Sequence, residues 1–403
     1  MSGPAPRHRR ASSGGGAGGG IKRWFAALGR NQRIGVVGGA AVVVALVAVV
    51  LAAVLSGGTT KAGTHNSSTT TSGGTGSSTT TTGGTHPGKT SYNCPLTGVP
   101  APGNKVPRRP ALGVKIGNDP ASRPQSGLDN ADIVYEEMAE GGITRYLAVF
   151  QCQNAPVIGP TRSVRWDDWN VLQQYQHAIL AYSGGIDPWM QQAASLPWIL
   201  NANGSEYPWA NAFYRSTSSA LPASRGAPYN YYTSSANLYG LFPKAKTPAP
   251  QLFKFSKILP SAATPLASVG IYFSSASPVV WKWSSTASRW LRFYSTQADT
   301  DPSGHQFQAS DVVIQVVQTS PGPYNESGPD SPDVESHTFG TGAYGSGKAY
   351  VLRQGHLETG TWSRPTGYAV TKLAFPDGKP MRLHPGNIWY ELVPSTVPIT
   401  FTS

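Results

Sequence analysis

Over positions 132–152 two strand-like runs, 132–140 and 143–152, flank Gly141-Gly142. Glycines tolerate positive φ, so this pattern predicts a β-hairpin closed by a two-residue turn. Pairing Glu140 with Ile143 then sets Met138 opposite Arg145 and Glu136 opposite Leu147, with Arg145 diagonally between Glu136 and Glu140. One face of the ribbon carries Val134, Glu136, Met138, Glu140, Arg145 and Leu147, and the other Ile133, Tyr135, Glu137, Tyr146 and Phe150. Both faces are largely apolar, which predicts a sheet covered on both sides. Its charges should then be paired, because an isolated buried charge is very costly.

Prolines over 94–110 forbid a central strand, and 111–118 (ALGVKIGN) reads as the first one. Val164, Trp169, Leu172 and Tyr175 recur at helical spacing, predicting a helix over 163–176 opened by Pro160; a strand over 177–183 and a short helix over 188–195 follow. Positions 197–250 have weak periodicity and read as long surface loops with one helix over 234–241. From about Ser261 alternation dominates, giving strands over 269–273, 279–283, 290–294, 312–318, 349–353, 358–363 and 388–393. The expected class is α+β. A layered α/β domain over 92–260, with a mixed sheet around the Gly-Gly hairpin, precedes a mainly antiparallel β domain over 261–403.

The block RPQSGLDNADIVYEEMAEGGITRYLAVFQ, then IGPTRSVR and AYSGG, resembles the YerB-like bacterial envelope proteins, a family built from two domains of unknown function. SRWLRFYSTQADTD, ASDVVIQVV, GTGAYGSGKAYVLRQGHLETGTW and LHPGNIWYELVP resemble that family's carboxy-terminal domain. The resemblance covers about 94–394 and implies a two-domain α+β architecture outside a membrane, without supplying an activity.

The start of the chain bears on location. Residues 1–33 hold seven basic residues and no acidic one among Gly, Ser and Ala, the composition of a disordered cytoplasmic tail. Residues 34–55 carry no charge; at about 1.5 Å per residue they reach about 33 Å, enough to span a bilayer. The basic flank precedes this run, so the amino terminus should stay in the cytoplasm and the rest be exported. A cleaved signal peptide is the competing reading, but the run exceeds the usual h-region. Many YerB-like proteins resemble lipoproteins, yet no cysteine lies near the end of this run. Residues 56–91 are Ser, Thr and Gly, a tether with an r.m.s. span of about 30–36 Å.

Of 32 basic residues, seven precede the run and Lys61 and Lys89 lie in the tether, leaving 23 against all 20 acidic residues in 92–403. That near balance argues against nucleic acid as a partner and makes the basic total mostly a topology signal. Outside the cytoplasm Cys94 and Cys152 read as a disulfide, with two separate buried thiols as the alternative. Gly342 to Lys348 fits G-x-x-x-x-G-K, but Ala349 replaces the Ser or Thr of a phosphate loop and a strand follows. The histidines lack metal-ligand spacing, and no cofactor or metal is expected. The tryptophans Trp281, Trp283, Trp290, Trp362 and Trp389 read as core, against the sharper reading of a glycan-stacking platform.

The candidate site is the charged cluster Glu136, Glu140, Arg145, Arg162, Arg165 and Asp168. In the first turn of a helix opened by Pro160, Arg162 and Arg165 would sit beside free N–H groups that attract anions. Two readings stand: a pocket for a carboxylate or phosphate group of an envelope glycan, peptide or lipid, or a buried ion-pair network that fixes the fold. A cell-wall glycan hydrolase or transferase using carboxylates and arginines of 132–168 is the alternative function. Glu136 and Glu140 lie about 13 Å apart along one strand, beyond the 5–9.5 Å that such a pair needs, so a partner such as Asp167 or Asp168 would be required.

Overall fold

The computed structural model describes residues 92–217, 221, 225–325, 332–337 and 345–403. The expected tail, apolar span and tether (1–33, 34–55 and 56–91) lie outside the described residues, as do the first residues of the Gly342 motif. No helix among the described residues is long and apolar enough to cross a membrane.

The first half supplies β1 (Ala111–Gly117), β2 (Ile133–Met138), β3 (Thr144–Phe150), α1 (Trp166–Leu172), β4 (Ala178–Tyr182), α2 (Asp187–Ser195), β5 (Ile199–Asn203), β6 (Phe213–Arg215), β7 (Tyr231–Thr233) and α3 (Ser235–Leu241). The second half begins with β8 (Thr264–Pro265), β9 (Ser268–Ser274), β10 (Ser277–Ser284), β11 (Arg289–Tyr294), β12 (Gln297–Ala298), β13 (Gln308–Ala309) and β14 (Asp311–Asn325). It closes with β15 (Pro332–His337), β16 (Gly345–Arg353), β17 (His356–Arg364), β18 (Lys372–Ala374), β19 (Ile388–Pro394) and β20 (Ile399–Thr402). The protein is therefore mostly β, with short α-helices, rather than evenly α+β. The stretch expected as loops over 197–250 contains β5, β6 and β7, because polar residues such as Asn201 and Asn203 in β5 mask its alternation.

One mixed sheet runs β18-β17-β16-β14-β19-β2-β3-β1-β4-β5, with β15 on β14 and β8 on β17. A second, antiparallel sheet runs β12-β11-β10-β9-β20, with β13 on β11. The division expected near Ser261 does not separate two sheets: β19 lies parallel to β2, with Tyr390 against Tyr135 and Glu391 against Glu136. The described residues form one compact unit.

Period-two alternation explains the doubly apolar hairpin. Ile133, Tyr135, Leu147 and Val149 face a core completed by Trp169 and Leu172 of α1 and Trp189 of α2. Val134, Tyr146, Ala148 and Phe150 face the second sheet, packing with Trp281, Trp290 and Trp389. Trp281, Trp290, Trp362 and Trp389 are all fully buried, as core residues should be. Cys94 and Cys152 form the expected disulfide, with Cα atoms 6.0 Å apart, tying the lead-in to the end of β3.

Candidate functional site

The hairpin turn decides where its charges go. Residues Glu140–Gly142 make a three-residue 3-10 turn, with Gly141 and Gly142 at φ +68° and +73°, and Ala139 N–H donates to the Ile143 carbonyl. One more residue in the turn moves the register by one position, so Glu137 opposes Arg145 and Glu136 opposes Tyr146. A single-residue slip exchanges faces. Glu136 and Arg145, expected on one face, lie on opposite sides of the sheet.

On the helical side, Arg145 Nη2 donates to Glu140 Oε1 at 2.5 Å and Arg165 reaches both Glu140 oxygens at 2.7 and 3.0 Å. Burial alone would raise the Glu140 carboxyl, but the two guanidinium groups outweigh it and hold it at about 2. Lys115 sits between Glu137 and Asp168, 2.9 Å from the latter. Every one of these side chains is buried. The helix expected over 163–176 starts only at Trp166, because Val164 N–H is taken by the Gly184 carbonyl and 163–165 stay extended. Arg162 thus lies ahead of the helix. Asp168 Oδ2 accepts from Arg165 N–H at 2.7 Å, so a carboxylate already occupies the helix start where an external anion was expected. Arg162 stands apart, 3.9 Å from Asp119 and 4.9 Å from the Tyr229 ring, with Nε and Nη1 lacking partners among the described residues.

On the other side, Glu136 meets Arg292, which also binds Asp299 and lies within 4.7–5.9 Å of the rings of Tyr294, Trp389, Tyr146 and Trp281. Glu391 on β19 accepts from Trp281 Nε1 at 2.8 Å; burial and the neighbouring Glu136 charge push its carboxyl well above the usual range. Asp132, raised to about 6 by burial, accepts from the Gln151 and Cys152 N–H groups.

A cleft of about 670 Å³ lies elsewhere, between loops 256–262 and 375–382 over the end of β17. Apolar side chains form its walls: Leu259, Pro260, Phe375, Pro376 and Pro380, with Ile258 81% exposed at the mouth. Its floor is polar. Arg353 donates to the Arg382, Ser256 and Ile258 carbonyls, pinning both loops, and to Glu358 Oε1 at 3.3 Å. Arg353 Nε and Glu358 Oε2 are buried and have no hydrogen-bond partner among the described residues. Burial raises the Glu358 carboxyl to about 7 despite Arg353.

The sequence reading missed Lys115, Arg292, Arg353 and Glu358. Its own alternation contained the signal for Arg292, which shares a strand face with Trp290 and Tyr294. The tight turn at Gln354-Gly355, both at positive φ, likewise pairs Arg353 with His356 and Val351 with Glu358, leaving the two charges diagonal neighbours.

A β-rich protein of two sheets sharing one charged interior is the class that this geometry defines. The chain belongs to the DUF3048 family: the description "Protein of unknown function (DUF3048) N-terminal domain" matches residues 96–248, and the corresponding C-terminal domain matches 269–390. It is similar to the Bacillus subtilis (strain 168) protein named "Putative lipoprotein YerB", at 28% identity over 307 residues, 74% of this chain and 86% of that one. The crystal structure of YerB protein from Bacillus subtilis matches with a TM-score of 0.62 at 23% identity, covering 77% of this chain and 99% of that chain. The fold is shared.

Proposed function

We propose that this chain is a membrane-tethered, extracytoplasmic binding protein of the bacterial envelope that takes a cell-wall component or an envelope protein partner into the cleft over β17. Residues 34–55 serve as a single-pass anchor with the amino terminus inside, and 56–91 hold the folded part off the bilayer. The lipoprotein name of the Bacillus subtilis relative supports an envelope location. The observation that carries the binding reading is the cleft floor, where two buried polar atoms lack partners among the described residues beneath a recess walled by apolar and charged side chains. The hairpin charges have another role: Glu140, Arg145 and Arg165 close on one another, Asp168 on Lys115 and Glu136 on Arg292, so they hold the fold. A hydrolase or transferase reading has less support, since Glu136, Glu140, Asp167 and Asp168 are all buried and Glu136, Glu140 and Asp168 are held in ion pairs.

The test is calorimetric titration of residues 85–403 with cell-wall fragments, repeated for Arg382→Glu at the cleft edge and for Arg162→Ala. Saturable binding weakened at least tenfold by Arg382→Glu and unchanged in Arg162→Ala supports the cleft. Binding lost only in Arg162→Ala would move the site to the first half, and no binding of any fraction would sink the reading. Protease added to intact cells should remove 92–403 while sparing 1–33; protection of the folded part would overturn the topology.

A further inference from the structure

The cleft's chemistry narrows its ligand, and this step rests on the binding reading above. Charges that face Glu358 come from several elements: Arg353 on β16, Asp311 on β14, His356 on β17, and Asp377, Lys379 and Arg382 from the loop after β18. Lys379 is spent on Asp377 at 2.7 Å, and burial pushes the Asp311 carboxyl well above the usual range. Arg353 and the exposed Arg382 are the guanidinium groups beside Glu358, whose carboxyl burial raises to about 7. An anionic head finds its cationic partners there. Arg353 Nε offers a donor, and Glu358 Oε2 becomes a second donor when it carries a proton. Apolar walls continue from this head position past Pro380 into a neighbouring recess of about 350 Å³ lined by Leu252, Phe253, Val370 and Met381.

We infer that the cleft binds an amphiphilic anion, with a carboxylate or phosphate head at Arg353, Glu358 and Arg382 and a hydrocarbon tail between Ile258, Phe375 and Pro380. A hydrocarbon tail suits the apolar stretch made by Ile258, Leu259, Pro260, Phe375, Pro376 and Pro380, and burying Ile258 removes the large apolar group exposed at the mouth. The head explains the unpartnered floor. An anion beside ionised Glu358 would be repelled, so binding takes up one proton on Glu358, and the carboxyl then donates to the head. Affinity is accordingly greatest below the Glu358 value of about 7 and falls as pH rises through it.

The experiment titrates residues 85–403 with dodecanoate, dodecyl phosphate, dodecanol and dodecyltrimethylammonium, each below its micelle concentration, between pH 6 and 8.5. Cell-wall fragments run in parallel. One anion per chain is expected, with dodecanol and the ammonium compound at least tenfold weaker. Preference between the two anions tells a fatty acid from a phosphorylated lipid as the source. Above pH 7 the affinity for the preferred anion should fall by up to about tenfold per pH unit. Glu358→Gln keeps a donor without a titrating proton, so it should bind the anion with no such pH dependence; Arg382→Glu should weaken the anion at least tenfold. Equal binding of dodecanol, preference for the ammonium compound, or a pH slope for dodecanoate, which stays ionised across this range, that survives in Glu358→Gln would overturn the inference. Wall fragments binding where neither alkyl anion does would overturn it while leaving the broader binding reading intact. Failure of both would remove both.

Discussion

Glu140 shows how one carboxylate can make two arginines part of the fold. Removing Arg165 leaves that buried group with Arg145 alone, and Arg165→Ala should cost about 3–5 kcal/mol in urea denaturation. Arg162→Ala, which loses only a 3.9 Å contact to Asp119 and a ring contact, should change stability by about 1 kcal/mol or less. Equal losses would show that Arg162 shares the network. The depressed Glu140 carboxyl contributes stability that is complete above its ordinary value near 4.5 and is lost as pH falls through about 2. That contribution is about 3 kcal/mol, so Glu140→Gln should flatten the acid limb of the stability curve. Asp132 and Glu358 act with the opposite sign. Raised to about 6 and about 7, they favour the folded state most below their ordinary values, and that advantage fades as pH rises through the raised ones.

The β2–β3 hairpin carries its information in its turn. At Gly141 a Cβ would meet nothing within 4 Å, so Gly141→Ala isolates the backbone cost of φ +68° and should destabilise by about 1–2 kcal/mol. A neutral result by thermal unfolding would mean that the turn adopts another conformation. The disulfide closes a separation of 58 residues, and its loss should cost about 4 kcal/mol. Alkylation without reductant should leave Cys94 and Cys152 unlabelled. The strands of the second half were legible because Trp281 and Trp290 sit in alternating runs and Val313 and Trp389 in short apolar runs bounded by turn residues. The hairpin strands were legible too, but not their register: whether Glu140 belongs to strand or turn changes nothing in the hydrophobic pattern, yet it reassigns every facing pair. The helix start was obscured similarly. Val164 belongs to the apolar set with Trp169, Leu172 and Tyr175, while hydrogen bonds from Val164 N–H to the Gly184 carbonyl and from Ser183 N–H to the Arg162 carbonyl tie the segment to the end of β4.

Across the whole molecule, Glu136 of β2, Arg292 of β11 and Glu391 of β19 meet at one buried point, drawn from both halves and both sheets. Arg292→Met should remove the compensation for Glu136 and Asp299 together and cost about 3–5 kcal/mol or abolish folding. Because β19 flanks β2, a fragment comprising 92–260 leaves a long apolar strand edge open and should lack a cooperative unfolding transition by circular dichroism. A folded fragment would refute that dependence. The same ladder orders events in time. A ribosome releases β2 some 250 residues before the strand that must lie beside it, an interval of about 12–50 s at ordinary elongation rates. Throughout it the nascent chain carries an unfilled place in its central sheet, one that its own β19, a second copy or a chaperone could enter. Birth order therefore makes β19 the arbiter of whether the first half ever becomes native.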